Sequence, residues 1–285
     1  MTIDMAKLPA VLRDPSLEMT GKDVPALLEA KHAIAPGSRI NVTYLGNEDL
    51  PMRVAASKAV KENGFVPVPH ISARRLHSED ELTEFLQALK DADVIESVFS
   101  VGGDPAEPFG PYPDSLSVIR SGLLQQYGVQ HVSIAGYPEG HPDIPTPVLW
   151  EHLVAKHAAL QEAGLGSTVL TQFLFDIDAT VKWIEEVREH GVDTFIRIGV
   201  PGPAGIQRLL KFATRFGVGA NAMIVKKYGF SLTNLMGTAG PNKFITELSQ
   251  RLTPEHGEVG LHFYAFGGLK ATAEWIRDFQ EKQSR

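Results

Sequence analysis

The reading of this chain turns on two stretches, HVSIAGYPEGHP at residues 131–142 and TVLTQFLFD at residues 168–176. Each opens on a short β-rich apolar run, His131–Ala135 and Thr168–Phe173. Each then passes into residues that suit a loop or a helix start: Tyr137-Pro138-Glu139-Gly140-His141 in the first case, Asp176 in the second. A longer helical stretch lies between them. Strand, polar loop, helix and strand together make the repeating unit of a parallel sheet.

Working outward, the same alternation continues to both ends. Further strands are expected at Ser16–Met19, Ile40–Tyr44, Val66–His70, Val94–Val101, Thr194–Ile198 and Val259–Tyr264. Apolar residues at helical spacing fall in Glu79–Leu89 (Leu82, Phe85, Leu86, Leu89), Ala179–His190 (Val181, Ile184, Val187) and Ala204–Phe216 (Ile206, Leu209, Leu210, Ala213). Asp176 and Thr180 are placed to cap a helix. The interval from Gly217 to Glu258 is expected to hold an extra loop and a helix near Pro241–Leu252. Eight strands with helices between them favour an α/β fold closed as a (β/α)8 TIM barrel, one domain over residues 1–285, with an open doubly wound sheet as the other arrangement. Neither GxGxxG after a strand nor GxxxxGK[ST] occurs.

Composition narrows the function. The 285 residues suit one large barrel, and 43% hydrophobic with 21% charged residues suits a packed core under a solvated surface. A net charge of -7 argues against a nucleic-acid partner, which calls for a basic face. The absence of cysteine removes disulfides, thiolate nucleophiles and thiolate-ligated metals, and fits a reducing cytoplasmic setting. Residues 1–13 carry charges and a proline and no signal-like apolar core, and no run approaches a membrane span. The ten histidines show no HxH or HExxH spacing, so no metal is expected, and there is no GxSxG elbow. The sequence leaves the oligomeric state open, and a homo-oligomer is compatible with it.

In a barrel of this class the chemistry gathers where strands end. The residues there are Glu18, Thr43-Tyr44, His70, Gly102-Gly103-Asp104, Tyr137 to His141, Gln172 and His262-Phe263-Tyr264. Singly, each has an ordinary explanation as a cap, a turn or a packed side chain. Together they would crowd one rim with polar and aromatic groups, which is the signature of a pocket.

Those blocks, in their order and spacing, resemble the methylenetetrahydrofolate reductase family in its bacterial single-barrel form. YPExHP and TQFxFD are the specific ones, supported by Ser16-Leu17-Glu18-Met19, Val42-Thr43-Tyr44, Pro69-His70-Ile71, Gly103-Asp104 and His262-Phe263-Tyr264. The resemblance implies an FAD-dependent oxidoreductase of one-carbon metabolism and methionine biosynthesis. It would interconvert 5,10-methylenetetrahydrofolate and 5-methyltetrahydrofolate, with NAD(P)H as a hydride donor and a tetrahydrofolate derivative as partner. It gives Glu18 the role of general acid, Asp104 a place beside the flavin and Gln172 a contact to the pterin. Thr43, His70, Gly103, Tyr112, Ala135, Tyr137 and His141 fall at flavin-contacting positions. Ile206 and Tyr264 fall on the folate side.

The chain also departs from the family pattern. Gly102 stands where the family has an arginine before Gly-Asp. The family's phosphate-contacting lysine aligns near Leu160 or Gln161, with Lys156 one turn earlier as its substitute. Met19-Thr20-Gly21 replaces an aromatic and proline run, Gly267-Gly268 replaces a polar pair, and Ile206 replaces a phenylalanine. Three other readings therefore stand beside the first: a flavin-independent reductase, a folate-dependent methyltransferase and a non-catalytic folate-binding barrel.

Overall fold

The computed structural model describes residues 3–215 and 238–284. Eight parallel strands close into a barrel: β1 (Ser16–Met19), β2 (Arg39–Val42), β3 (Val66–Ser72), β4 (Ser97–Val101), β5 (His131–Gly136), β6 (Gly166–Phe173), β7 (Phe195–Pro201) and β10 (Val259–Tyr264). Each pairs with its neighbour in sequence, and β10 lies between β7 and β1 to close the ring. The two-residue strands β8 (Ala204–Gly205) and β9 (Thr238–Ala239) pair antiparallel outside it. Around the barrel run α1 (Val24–Ala30), α2 (Leu50–Glu62), α3 (Glu79–Asp91), α4 (Ser115–Arg120), α5 (Leu123–Tyr127), α6 (Thr146–Glu162), α7 (Ile177–Glu189), α8 (Ile206–Arg215), α9 (Asn242–Arg251) and α10 (Leu269–Gln283). Among the described residues no helix is long and apolar enough to cross a membrane.

Period-two alternation sorts the strand residues into two cores. Leu17, Val98, Val132, Ile134, Val169, Ile196, Ile198, Leu261 and Phe263 face outward and are buried under the helices in one large cluster. Each such burial contributes roughly 1.5–3 kcal/mol. The inward set is smaller and more polar. Val68, Phe99 and Leu170 form a compact apolar plug, with Val101, Ala135 and Tyr264 packed against it. Asn41, His70, Ser133, Thr168, Arg197 and His262 are buried alongside them on the strands. So much polarity inside a barrel is not required for packing; His70 and His262 lie toward the C-terminal mouth, whereas Arg197 reaches Asp14 at the other end.

The expected strands and helices are present, with shifted ends. β2 stops at Val42, so Thr43 and Tyr44 lie just past it. β3 runs two residues beyond His70, because His70 and Ser72 pair with Phe99 and Val101 of β4. β4 begins at Ser97 instead of Val94. Asp93 turns with φ 57°, and the Val94 N–H still closes the preceding helix onto the Leu89 carbonyl at 2.9 Å. Asp176 caps α7, its carboxylate accepting from the N–H groups of Asp178 (2.9 Å) and Ala179 (3.1 Å). Thr180 is not a cap: it lies inside α7 with its hydroxyl donating to the Asp176 carbonyl at 2.6 Å. The helix expected near Pro241–Leu252 is α9, while most of the loop before it falls outside the described residues.

Candidate active site

Glu18 is the penultimate residue of β1 and points into the mouth, with its side chain 21% exposed. Its carboxyl accepts no hydrogen bond from any described residue. Burial, followed by the nearby charge of Asp23, pushes its pKa up to about 8. Its nearest basic neighbour is His262 of β10, with Nε2 4.0 Å from the Glu18 Oε2. His262 is fully buried, and burial together with Arg197 and His70 holds its ring neutral well below the usual range. Tyr264, two residues on, meets the His262 ring edge-on at 4.9 Å and donates its hydroxyl to the Thr171 carbonyl at 2.9 Å. Burial, then Glu18 and Tyr137, push the Tyr264 phenol well up.

His70, on β3, also lines the barrel interior. Its Nε2 lies 3.2 Å from the Asn41 amide nitrogen, which makes that ring nitrogen the acceptor, and its ring meets Phe99 edge-on at 4.7 Å. Burial lowers its pKa to about 3, so it stays neutral. Tyr137 stands just beyond β5 with His141 edge-on at 5.2 Å. It also borders a cleft of about 260 Å³ between the end of β5 and helices α6 and α7, whose walls include Ala135, Trp150 and Trp183. The Gln172 oxygen accepts from the Phe173 N–H at 3.0 Å, leaving its amide nitrogen without a described partner.

Two buried hydroxyls at the mouth, Thr43 Oγ1 and Ser72 Oγ, have no hydrogen-bond partner among the described residues. Gly103 sits against the second: its φ is +96°, and a Cβ there would lie 2.2 Å from the Ser72 Oγ, so only glycine fits. Unsatisfied buried hydroxyls beside a bare backbone make a cradle for a polar ligand.

Other expected residues lie away from this group. Asp104 is held by Arg75, whose Nε and Nη2 reach its Oδ1 at 2.9 and 2.6 Å. Gly46 leaves the room for that arginine, since a Cβ there would lie 2.2 Å from Nη1. Tyr112 is buried in the large outer core with Glu79 nearby, and no described contact joins it to Glu18, His70 or Tyr264. Lys156 is buried in α6 with no ion pair; burial lowers its pKa to about 8, partly offset by Asp114. Ile206 opens α8, and its side chain lies outside the described residues. Among the described residues no three His, Asp or Glu side chains converge as a metal site.

Ser16 and Glu139 lie inside the sequence blocks without a role assigned to them there, and Asn41 and Arg75 are given none either. Counting back two residues from Glu18 finds Ser16 on the same face. Glu139 had a signal too, because it is the acidic residue of YPExHP. Its Oε1 accepts from the N–H groups of Phe175 (2.9 Å) and Asp176 (2.8 Å), tying that block to TQFxFD.

The family model for methylenetetrahydrofolate reductase matches residues 20–279. The chain belongs to the methylenetetrahydrofolate reductase family. Among curated members it is 28% identical over 177 residues to 5,10-methylenetetrahydrofolate reductase of Pectobacterium carotovorum subsp. carotovorum, covering 61% of this chain and 57% of that one. It is 25% identical over 199 residues to methylenetetrahydrofolate reductase (NADH) 1 of Arabidopsis thaliana, covering 60% of this chain and 31% of that one. The match thus spans little more than half the length of the bacterial relative. Among solved structures, a Clostridium thermocellum protein that binds two copies of 5-methyl-5,6,7,8-tetrahydrofolic acid superposes with TM-score 0.64. It covers 95% of this chain and 94% of that one at 11% identity, a likeness of fold.

Proposed function

We propose that this methylenetetrahydrofolate reductase family member interconverts 5,10-methylenetetrahydrofolate and 5-methyltetrahydrofolate by hydride transfer, with Glu18 as the general acid. The observation that carries this reading is the Glu18 carboxyl: set into the mouth, given no hydrogen-bond donor among the described residues, and pushed up to about 8. Opening the five-membered ring of the methylene form requires a proton on N10, and a carboxylic acid still protonated at neutral pH supplies it. The ring then opens to an iminium that accepts hydride at carbon. In the reverse direction the Glu18 carboxylate takes the proton back. Gln172, with a free amide nitrogen, would hold the pterin edge.

The residues present fit the flavin that family membership suggests. The unpartnered Thr43 and Ser72 hydroxyls, the Gly103 cradle and Tyr137 with His141 offer polar and aromatic contacts for its ring system. Lys156, buried with Asp114 near but in no ion pair among the described residues, suits a pyrophosphate. When bound, FAD supplies the hydride relay between a nicotinamide and the folate. Lys156→Met should therefore lower the flavin retained on purification several-fold, measured as the ratio of flavin to protein absorbance. Unchanged retention would remove Lys156 from the cofactor site.

A second reading, direct transfer from nicotinamide to folate, is favoured by one feature. Asp104, the residue placed beside the flavin, is turned into an ion pair with Arg75. The absorbance spectrum of the purified protein separates the two. Flavin bands that bleach on anaerobic addition of 5-methyltetrahydrofolate support the first reading, and a colourless protein active with a nicotinamide supports the second. In either case Glu18→Gln should fold and bind folate while turnover falls by roughly 10²–10⁴-fold. Near-normal turnover of that variant removes Glu18 as the acid.

A further inference from the structure

The environment of His262 has a feature that the proposed reaction does not use. Ser16 and His262 are both fully buried and face each other across the β1–β10 pairing, where they are register partners. The Ser16 Oγ lies 2.9 Å from the His262 Nδ1 and 3.4 Å from the Leu261 carbonyl. The His262 Nε2 is buried and has no hydrogen-bond partner. A neutral imidazole carries one N–H, and two placements are open. If the proton sat on Nε2, a buried N–H would face only the Glu18 Oε2 at 4.0 Å, too far to accept it. If it sits on Nδ1, that N–H donates to the Ser16 Oγ and the Ser16 hydroxyl donates to the Leu261 carbonyl. Every donor is then satisfied, and the one orphan is a lone pair. An unmet buried N–H is the costlier defect.

We propose that Ser16 locks His262 in the Nδ1–H tautomer, so that a bare Nε2 faces Glu18 and His262 acts as the positioning residue that keeps the carboxyl proton in place. At 4.0 Å the bare lone pair makes no hydrogen bond to the acid, but its negative end faces the carboxyl and so disfavours the carboxylate. The rest of the surroundings agree. Among the described residues, Asp23 and the phenol of Tyr264 are the other titratable groups that act with the acid, and neither is a cation. Arg197, on the neighbouring strand β7, and His70, on β3, both disfavour a charged His262. The idea rests on Glu18 being the acid, but its test does not depend on turnover.

Two spectroscopic measurements on the full chain decide it. Nitrogen NMR of ¹⁵N-histidine-labelled protein, assigned with His262→Phe, should show His262 neutral with a protonated Nδ1 and a bare Nε2. The infrared band of the protonated Glu18 carboxyl, identified as the one lost in Glu18→Gln, gives its titration. Ser16→Ala removes the Nδ1 partner and frees Nε2–H to turn toward the carboxylate. The Glu18 midpoint should then fall by about one unit or more, a roughly tenfold loss of protonated acid above the new midpoint. The alkaline limb of the reductive pH profile should move with it. An Nε2–H tautomer in the wild-type protein overturns the proposal, and so does an unmoved Glu18 midpoint in a folded Ser16→Ala. The wild-type tautomer decides the matter even if that variant fails to fold. Should Glu18→Gln prove active, the acid assignment falls, while the tautomer result stands or falls separately.

Discussion

At the scale of single residues, the mouth holds its ionisable groups in their neutral forms. Glu18 titrates near 8 because burial penalises its carboxylate, whereas His70 is pushed to about 3 and does not change state at physiological pH. In the proposed reaction reductive turnover needs the protonated acid, so its rate should fall as pH rises through about 8. The oxidative direction needs the carboxylate and should rise over the same interval. Lys156 also titrates near 8, so the profile of Lys156→Met is the control that assigns the limb to Glu18. Stability follows the same group. A carboxyl raised from 4.5 to about 8 binds a proton in the folded state that the unfolded chain has already released. Its contribution is full below pH 4.5 and is lost as pH climbs to 8, on the order of 3 kcal/mol at about 1.4 kcal/mol per unit with a discount for the open mouth. Melting curves from pH 5 to 9 should show Glu18→Gln losing less stability across that range than wild type. Parallel curves would mean that Glu18 is not buried as a neutral acid.

At the scale of elements, much was legible in the sequence and some was not, for identifiable reasons. β1 and β10 match their expected limits because a short strand with one face in the outer core alternates clearly: Ser16 and Glu18 inward, Leu17 and Met19 outward. The start of β4 was misplaced because Val94 and Ile95 are apolar for another reason, packing at the end of α3. Glu18, His70, Tyr137 and Tyr264 could be read as strand ends. The Arg75–Asp104 pair could not, since it depends on two loops meeting in space and on a glycine at 46 that leaves the gap. The bond between the two most specific blocks is of the same kind. Glu139 takes the N–H groups of Phe175 and Asp176 just before α7, which Asp176 then caps. Glu139→Ala would take away the carboxylate that these two N–H groups share and free the loop carrying Tyr137. A loss of about 1–3 kcal/mol is expected, read as a lower denaturant midpoint. Amide exchange should accelerate at Phe175 and Asp176. Unchanged exchange there would show that the loops hold together without this carboxylate.

At the scale of the whole molecule, the barrel separates its two ends. The mouth holds the neutral acid and the unpartnered hydroxyls. The opposite end is closed by charge: Asp14, just before β1, accepts from Arg39 at the start of β2 (3.0 Å) and from Arg197 of β7 (2.5 Å). Arg197 is only 4% exposed and also donates to the Asp14 carbonyl at 2.6 Å. Conservation of shape at this end bears on stability, and chemistry belongs to the other. Removing one partner should therefore cost more than removing both. Asp14→Ala strands a buried guanidinium, and a loss on the order of 2–3 kcal/mol is expected, tempered by the half-exposed carboxylate. Arg197→Met fills the same space without a charge to satisfy, so it should cost less, and the double variant should recover much of the Asp14→Ala loss. Denaturant titrations of the three variants measure this coupling directly. Because the pair lies at the far end of the strands from Glu18, folate turnover at temperatures where all three remain folded should stay within about twofold of wild type. A loss of turnover that tracks charge instead of stability would mean that Arg197 acts on the mouth through His262, whose charged form it already disfavours.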